Sequence, residues 1–94
     1  MKVYISGKMT GLSQERIRRK FKAAAHYIFE QGDTPVNPAQ LGIYQLDYED
    51  YMKIDFALID ICDSIYMLSD WEESQGAVRE LHYALSQNKG VIYE

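Results

Sequence analysis

The sequence is poor in the residues that mark secreted, membrane-spanning and metal-binding proteins. Its 94 residues include a single cysteine, Cys62, so no disulfide can form within the chain, which suits a reducing cytosol. No apolar run approaches the roughly 18 residues of a membrane-spanning helix, and the first strand runs directly into Gly7, so we expect no signal peptide. His26 and His82 each lack a second histidine within helical reach. We therefore predict a cytoplasmic protein with no membrane association, metal site or cofactor.

Positive charge is also scarce. Ten Lys and Arg residues face 14 Asp and Glu residues, and the net charge of −4 does not favour polymeric nucleic acid as a partner. Five basic residues cluster in one segment, which we interpret as the solvated face of a helix: Arg16, Arg18, Arg19, Lys20 and Lys22.

The composition is otherwise that of a globular protein. Apolar residues make up 47% and charged residues 26% of the chain. We predict one domain over residues 1–94, long enough for a single core. Because that core is small and eight tyrosines are available for an interface, we also predict a homo-oligomer.

Strand-like and helix-like segments alternate along the chain. The patterns predict strands at 2–6, 33–38, 64–69 and 90–93, and helices at 13–31, 48–62 and 74–88. This order predicts an α/β fold, a small doubly wound, flavodoxin-like sheet of four parallel strands in the order 2-1-3-4 with helices on both faces. A ligand would then bind between strands one and three, where the strand order reverses.

The apolar residues also predict which side chains face the core. The third strand is apolar on both faces, as in a parallel sheet covered on both sides. The helical stripes predicted to face inward comprise Ile17, Phe21, Ala24, Ala25, Ile28 and Phe29, then Met52, Ala57 and Ile59, then Val78, Leu81, Ala84 and Leu85.

The stretch that follows the third strand, residues 70–80, is typical of a ligand site. Ser74 is a favourable N-cap for the third helix. Gly76 leaves the first-turn amides open to a phosphate or a sugar, and Glu80 lies in the second turn. The same Ser-x-Gly-x-x-x-Glu spacing describes any capped helix with an exposed glutamate, so other parts of the chain must support the site.

Two further segments are expected at the same crevice. Residues 7–12 form a glycine-bracketed turn after the first strand, although their spacing fits neither a dinucleotide fingerprint nor a Walker A loop. Residues 39–47 are irregular, with at most one helical turn, and make a candidate lid.

Acidic residues near this crevice suggest glycosyl chemistry. Such chemistry uses two carboxyl groups around an oxocarbenium-like centre. Glu80 is the candidate nucleophile, and Asp55 or Asp70 is the candidate second carboxyl group. Asp55 lies in an apolar context that is unfavourable for a charge, but it could equally form a salt bridge or serve as a cap partner.

Three motifs together resemble the nucleoside 2-deoxyribosyltransferase-like superfamily, which includes the 2′-deoxynucleoside 5′-phosphate N-hydrolases. They are the opening Tyr4-Ile5-Ser6-Gly7, the pair Asp55 and Asp63, and Ser74-x-Gly76-x-x-x-Glu80-Leu81-x-x-Ala84. The motifs span nearly the whole chain. Residues 4–11 and 70–72 also resemble a branch of small phage and bacterial domains with no assigned function. One departure is His82, which stands where the family usually has glycine and is expected to narrow that side of the helix.

The resemblance implies a nucleotide N-glycosidase or deoxyribosyltransferase whose Glu80 attacks C1′ of the sugar. It implies a small-molecule nucleoside or nucleotide as the partner. Tyr4 would orient Glu80, and Asp55 or Asp70 would handle the sugar hydroxyl or the leaving base. The substrate-binding residues implied are Ser6, Gly7, Met9, Gly11, Tyr44, Trp71, Ser74 and Gly76, with Tyr44 or Trp71 stacking on the base.

Two other functions remain open from the sequence. The same scaffold could bind a nucleotide or nucleotide-sugar without catalysis. It could also serve as a protein-interaction module in which the tyrosines and Trp71 form the interface.

Overall fold

The chain alternates strand and helix from end to end. A computed structural model describes the backbone of residues 1–94 and every side chain except those of Ile43 and Tyr44. The elements are β1 (Lys2–Ser6), α1 (Gln14–Glu30), β2 (Thr34–Val36), a 3₁₀ helix (Pro38–Tyr44), α2 (Tyr48–Ile61), β3 (Ser64–Met67), a 3₁₀ turn (Trp71–Glu73), α3 (Gln75–Ser86) and β4 (Gly90–Tyr93).

The four strands form one parallel sheet in the order β2-β1-β3-β4. The predicted α/β class, strand order and parallel direction are therefore confirmed. The order reverses beside β1, so the carboxyl ends of β1 and β3 meet at the crevice where doubly wound sheets bind ligands.

Each α-helix begins at a side chain that accepts a hydrogen bond from the helix backbone. Oxygens of Ser13, Asp47 and Ser74 accept from the N–H three residues further on, at 3.2, 2.9 and 3.1 Å. The caps predicted at Ser13 and Ser74 are confirmed. The Ser74 cap fixes the start of α3 beside the ligand-binding edge of the sheet.

The central strands β1 and β3 bury both of their faces, which the apolar pattern predicted for β3. Val3, Ile5 and Tyr66 pack against α1, whereas Tyr4 and Ile65 on the opposite face pack against α2 and α3. The buried helix residues are Ile17, Phe21, Ala24 and Ile28 on the first side, and Ile59, Ala77, Leu81 and Ala84 on the second.

Three residues predicted to face inward are exposed instead. Phe29 is 70% exposed and Leu85 is 53% exposed, and Ala57 also faces outward. Phe29 and Leu85 directly follow the buried residues Ile28 and Ala84. A step of one residue turns a helix by about 100°, which carries the next side chain away from the sheet. None of the helices in the described chain combines the length and apolar character needed to cross a membrane.

The turn after β1 passes too close to β3 for any residue other than glycine. A Cβ atom at Gly7 would lie 2.5 Å from Leu68 Cδ1 and 2.8 Å from Leu68 Cβ, and Leu68 is 2% exposed. The close approach brings the loop of residues 7–12 against the end of β3 and sets one wall of the crevice.

Replacing Gly7 with Ala should therefore lower the free energy of unfolding by about 1–3 kcal/mol, because the new methyl group overpacks against Leu68. Urea denaturation measures this loss. Gly42→Ala is the matched control, since a Cβ there meets no atom within 4 Å. Equal stabilities of the two variants would show that the approach of Gly7 to Leu68 is not restrictive.

Candidate active site

A cavity of about 690 Å³ opens at the carboxyl edge of the sheet. Its walls come from the end of β1, the loop after β1, the first turns of α1, the 3₁₀ helix, α2 and the start of α3. A second groove of about 600 Å³ runs between α1 and the 3₁₀ helix, and none of its described lining residues is acidic. The first cavity, which Asp55 and Glu80 line, is therefore the candidate active site.

Glu80 is the most deeply buried charged group described in the chain, at 6% exposure. It extends from α3 toward β1. Its Oε2 accepts a hydrogen bond from Tyr4 Oη at 3.1 Å, and its Oε1 accepts one from Ser6 Oγ at 2.6 Å. Both carboxylate oxygens are thus oriented by hydroxyl groups of one rigid central strand.

Asp55 on α2 completes this group. Its carboxyl group is close enough to Glu80 and Tyr4 to raise the pKa of each, and Tyr4, Asp55 and Glu80 all line the cavity. Three residues that the sequence placed in catalytic roles, from three different elements, therefore meet at one point.

Burial and mutual repulsion shift the protonation of the two acids. Burial is the main cause that raises the pKa of Glu80 well above its ordinary value, and the neighbouring Asp55 raises that pKa further. Burial also raises the pKa of Asp55, and the neighbouring Glu80 and Tyr4 groups partly oppose that effect. Two carboxyl groups this close take up their first shared proton above the usual carboxyl range.

The same environment keeps Tyr4 protonated. Burial, followed by the Glu80 charge, raises the pKa of the Tyr4 phenol well above its ordinary value. The hydroxyl therefore remains a hydrogen-bond donor to Glu80 across the neutral range, which suits the orienting role that the resemblance implied.

The start of α3 forms another wall. Ser74, Gly76 and Ala77 line the cavity beside Glu80. A Cβ atom at Gly76 would meet Tyr48 Oη at 3.5 Å and Met52 Sδ at 3.7 Å, so a longer side chain would enter the cavity and cover the helix amides. Because the Ala77 amide already donates to Ser74 Oγ, the amides that the glycine leaves uncovered for an oxygen-rich ligand group are those of Gln75 and Gly76.

Sequence reasoning missed a wall that α2 contributes. Tyr48, Tyr51 and Met52 line the cavity together with Asp55. They lie seven, four and three residues before Asp55, the spacing of one helical face, so following that face from Asp55 would have found them. Tyr51 Oη also donates to the Leu41 carbonyl at 3.3 Å, which joins α2 to the predicted lid.

The predicted substrate-binding residues fall into two groups. Gly7, Met9, Ser74 and Gly76 line the cavity, whereas Gly11 and Trp71 are not among its described lining residues. Trp71 instead packs near the end of β4, with its ring centroid 6.1 Å from that of Tyr93.

Three further residues were expected at or near the site: Ser6, Tyr44 and His82. The hydroxyl of Ser6 is 1% exposed and engages Glu80, so its contacts support a role on Glu80 rather than on a phosphate. The side chain of Tyr44 lies outside the described residues. His82 is exposed and is not among the described residues that line the cavity, so the expectation that it narrows that side of the helix is wrong.

Asp70 is separated from the other acids. Its Oδ2 pairs with Lys20 Nζ, and its Oδ1 accepts from the Lys8 amide at 3.1 Å. Lys20 therefore contacts other parts of the protein, and the interpretation of its segment as a solvated helix face is wrong for this residue. These contacts favour Asp55 over Asp70 as the partner of Glu80.

Comparison with solved structures identifies the class of fold. A 2-desoxiribosyltransferase from Leishmania mexicana superposes with a TM-score of 0.76 at 17% identity, over 98% of this chain and 62% of that one. The Clostridium botulinum CMP N-glycosidase BcmB superposes with a TM-score of 0.69 at 17% identity, over 99% and 67%. The chain thus has the deoxyribosyltransferase-like fold that the motifs predicted, and it spans about two thirds of each of these proteins.

The sequence itself matches a family model over residues 1–93, described as Domain of unknown function (DUF4406). The chain belongs to that family. A search of curated proteins finds no match to the sequence.

Glu80→Gln should stabilise the protein above the ordinary carboxyl pKa. Since the pKa of Glu80 is raised in the folded state, wild-type stability is complete below the unfolded-state pKa and declines as the pH rises through the folded-state pKa. The neutral amide removes this loss, and we expect a gain on the order of 1–2 kcal/mol at pH 8. The gain should vanish near pH 4.

Urea denaturation at the two pH values measures the difference. Glu72→Gln, which changes an exposed carboxylate, should have little effect at either pH. A Glu80→Gln protein that loses stability relative to wild type as the pH rises would contradict a raised pKa at Glu80.

Proposed function

We propose that this protein cleaves or transfers the N-glycosidic bond of a nucleoside or nucleotide, with Glu80 as the nucleophile at C1′. The observation that carries the proposal is the buried Glu80 carboxylate, which Tyr4 and Ser6 orient through both of its oxygens beside a second acid, Asp55. Two acids with perturbed pKa values in one cavity are what glycosidic substitution needs. The two structural neighbours, a 2-desoxiribosyltransferase and a CMP N-glycosidase, support the same class of reaction.

The raised pKa values supply the two protonation states that the reaction requires. When the pair holds one proton, the more strongly raised pKa of Glu80 favours the proton there. The reaction proceeds from the form in which that proton has passed to Asp55, and the hydrogen bonds from Tyr4 and Ser6 stabilise the Glu80 carboxylate of this form. The Glu80 carboxylate attacks C1′ and forms a C–O bond as the C1′–N bond breaks. The electron pair of the broken bond leaves with the base, and the Asp55 acid protonates that base.

The second half of the reaction releases the sugar. A water molecule, or the nitrogen of another base, attacks C1′ and displaces Glu80. The Asp55 carboxylate accepts the proton of the attacking group, which restores the original pair. Water gives hydrolysis, and a second base gives transfer.

The open amides of α3 would receive the other end of the substrate. They lie beside Glu80, and Gly76 leaves them uncovered. A 5′-hydroxyl or 5′-phosphate placed there gains hydrogen bonds from the helix start and a favourable interaction with its dipole. The base would then extend toward the cavity wall that Tyr48, Tyr51 and Met52 form.

One observation favours binding without turnover as the second candidate. Burial raises the pKa of Glu80 and so extends to higher pH the range in which it is protonated, and a protonated carboxyl group is not a nucleophile. A protein of this kind would bind a nucleotide in the same cavity and release it intact.

Loss of the nucleophile separates these functions. Nucleosides and their 5′-monophosphates, in ribo and deoxy forms, are incubated with wild type, Glu80→Ala and the surface control Glu72→Ala, and free base is measured by chromatography. We expect base release by wild type and the control, and a decrease of at least about a thousandfold for Glu80→Ala. Base release that survives in Glu80→Ala excludes Glu80 as the nucleophile. Saturable binding without released base in wild type favours the second candidate.

The pH dependence tests the role of the acid pair. We expect a bell-shaped profile of kcat/KM, because one group must be ionised and the other protonated. The alkaline limb marks loss of the shared proton and should lie above the ordinary carboxyl range, because burial and the mutual repulsion of Asp55 and Glu80 hold that proton on the pair. Asp55→Asn should abolish this limb along with most of the activity, because the amide cannot donate a proton to the leaving base. An alkaline limb that stays at the same pH in Asp55→Asn would contradict a proton shared between Asp55 and Glu80.

A further inference from the structure

The loop that forms one wall of the cavity packs on the core through Met9 and Leu12, and its polar contacts to other elements converge on Lys8, whose side chain also pairs with Glu73 at 3.3 Å. The Lys8 amide donates to Asp70 Oδ1 at 3.1 Å, and the Lys8 carbonyl accepts from Lys20 Nζ at 2.7 Å. Lys20 Nζ also pairs directly with Asp70 Oδ2. The two contacts on the Lys8 backbone are therefore joined by an ion pair, and we call this three-residue arrangement the clamp.

The clamp connects elements that are distant in sequence. Lys20 belongs to α1, Asp70 follows β3, and Lys8 lies in the loop after β1. The side chains of Lys20 and Asp70 are 24% and 27% exposed, so their pairing is screened less than that of a fully exposed pair. A clamp of this kind restricts the loop relative to both the helix and the strand end.

The Asp70 charge of the clamp persists at neutral pH. Partial burial alone would raise the pKa of Asp70, but hydrogen bonds from Lys20 and the Lys8 amide outweigh that effect and lower it. Asp70 therefore stays ionised until the pH falls below the ordinary carboxyl range, where the clamp is lost.

The loop that the clamp fixes is a large part of the binding wall. Gly7, Lys8, Met9, Thr10 and Leu12 all line the cavity that contains Glu80. Neither Lys20 nor Asp70 is among its described lining residues. Their contacts would reach a bound ligand only through the loop.

We propose that Lys20 and Asp70 are positioning residues that set substrate affinity by holding loop 7–12 in its binding conformation. The proposal rests on the proposed function insofar as the ligand is a nucleotide. Because the clamp does not touch the acid pair, it acts on KM and leaves kcat nearly unchanged. Without the clamp, a ligand must itself order the loop, and that cost appears as weaker binding.

Lys20→Met and Asp70→Ala each break the clamp. Hydrogen bonds to charged groups are lost in both, so we expect the KM to rise by about tenfold in each variant. The double variant should lose little more, because either change alone releases the loop. Lys20→Arg should retain most of the affinity, since a guanidinium group can still donate to the Lys8 carbonyl oxygen and to Asp70 Oδ2. Lys53→Met and Glu72→Ala are controls that remove the same charges from exposed positions.

Two measurements do not depend on turnover. In a Glu80→Gln background, the dissociation constants of ribo- and deoxyribonucleoside 5′-monophosphates are measured by titration. Hydrogen exchange of the peptide covering residues 7–12 is measured without ligand. We expect Lys20→Met and Asp70→Ala to weaken binding by the same factor as the KM and to speed exchange in the loop but not in β1. Asp70→Asn, which preserves the side-chain shape, provides a second test should Asp70→Ala fail to fold.

The outcomes separate this proposal from the proposed function. Faster loop exchange with unchanged dissociation constants would overturn it, as would a fall in kcat at constant KM, or control variants with the same effect. Binding that depends on the clamp, without base release by wild type, would support the clamp and reject the glycosidic reaction. Base release that is insensitive to both clamp variants would reject the clamp alone.

Discussion

The burial of the Glu80 carboxylate is the constraint on which the site depends. A charge removed from water is strongly destabilising unless hydrogen bonds replace its hydration, and here the hydroxyl groups of Tyr4 and Ser6 do so. Both donors belong to β1, the strand next to the reversal of strand order. The sheet thus holds two rigid, buried donors against Glu80 of α3, a helix near the other end of the sequence.

The second acid, Asp55, changes the protonation of Glu80 and also lowers the stability of the fold. Asp55 raises the pKa of Glu80 by its proximity, so the folded protein holds an acid pair that would repel at high pH. The apolar layers on both faces of the sheet supply the stability that tolerates it. Sites that hold repelling or strained groups in a rigid scaffold are common where a protein does chemistry.

Two kinds of wall surround the acid pair. The loop after β1 is fixed through Lys8 by Lys20 and Asp70, and it is pressed against Leu68 at Gly7. The opposite wall joins α2 to the 3₁₀ helix through the hydroxyl of Tyr51. A ligand between them would meet fixed backbone on one side and aromatic side chains on the other.

The sequence alone predicted the element order, the sheet topology and the caps at Ser13 and Ser74, because periodicity and capping are local properties of the chain. It also offered Glu80 and Asp55 as candidate acids from their local context, whereas Tyr4 came from the family resemblance. Only the tertiary structure decided which acid accompanies Glu80. Asp55 and Asp70 both lay near the expected crevice, and their partners, Glu80 and Lys20, are 25 and 50 residues away. The exposure of Phe29 and the packing of Trp71 against Tyr93 were decided in the same way, since side-chain direction depends on neighbours that no local pattern specifies.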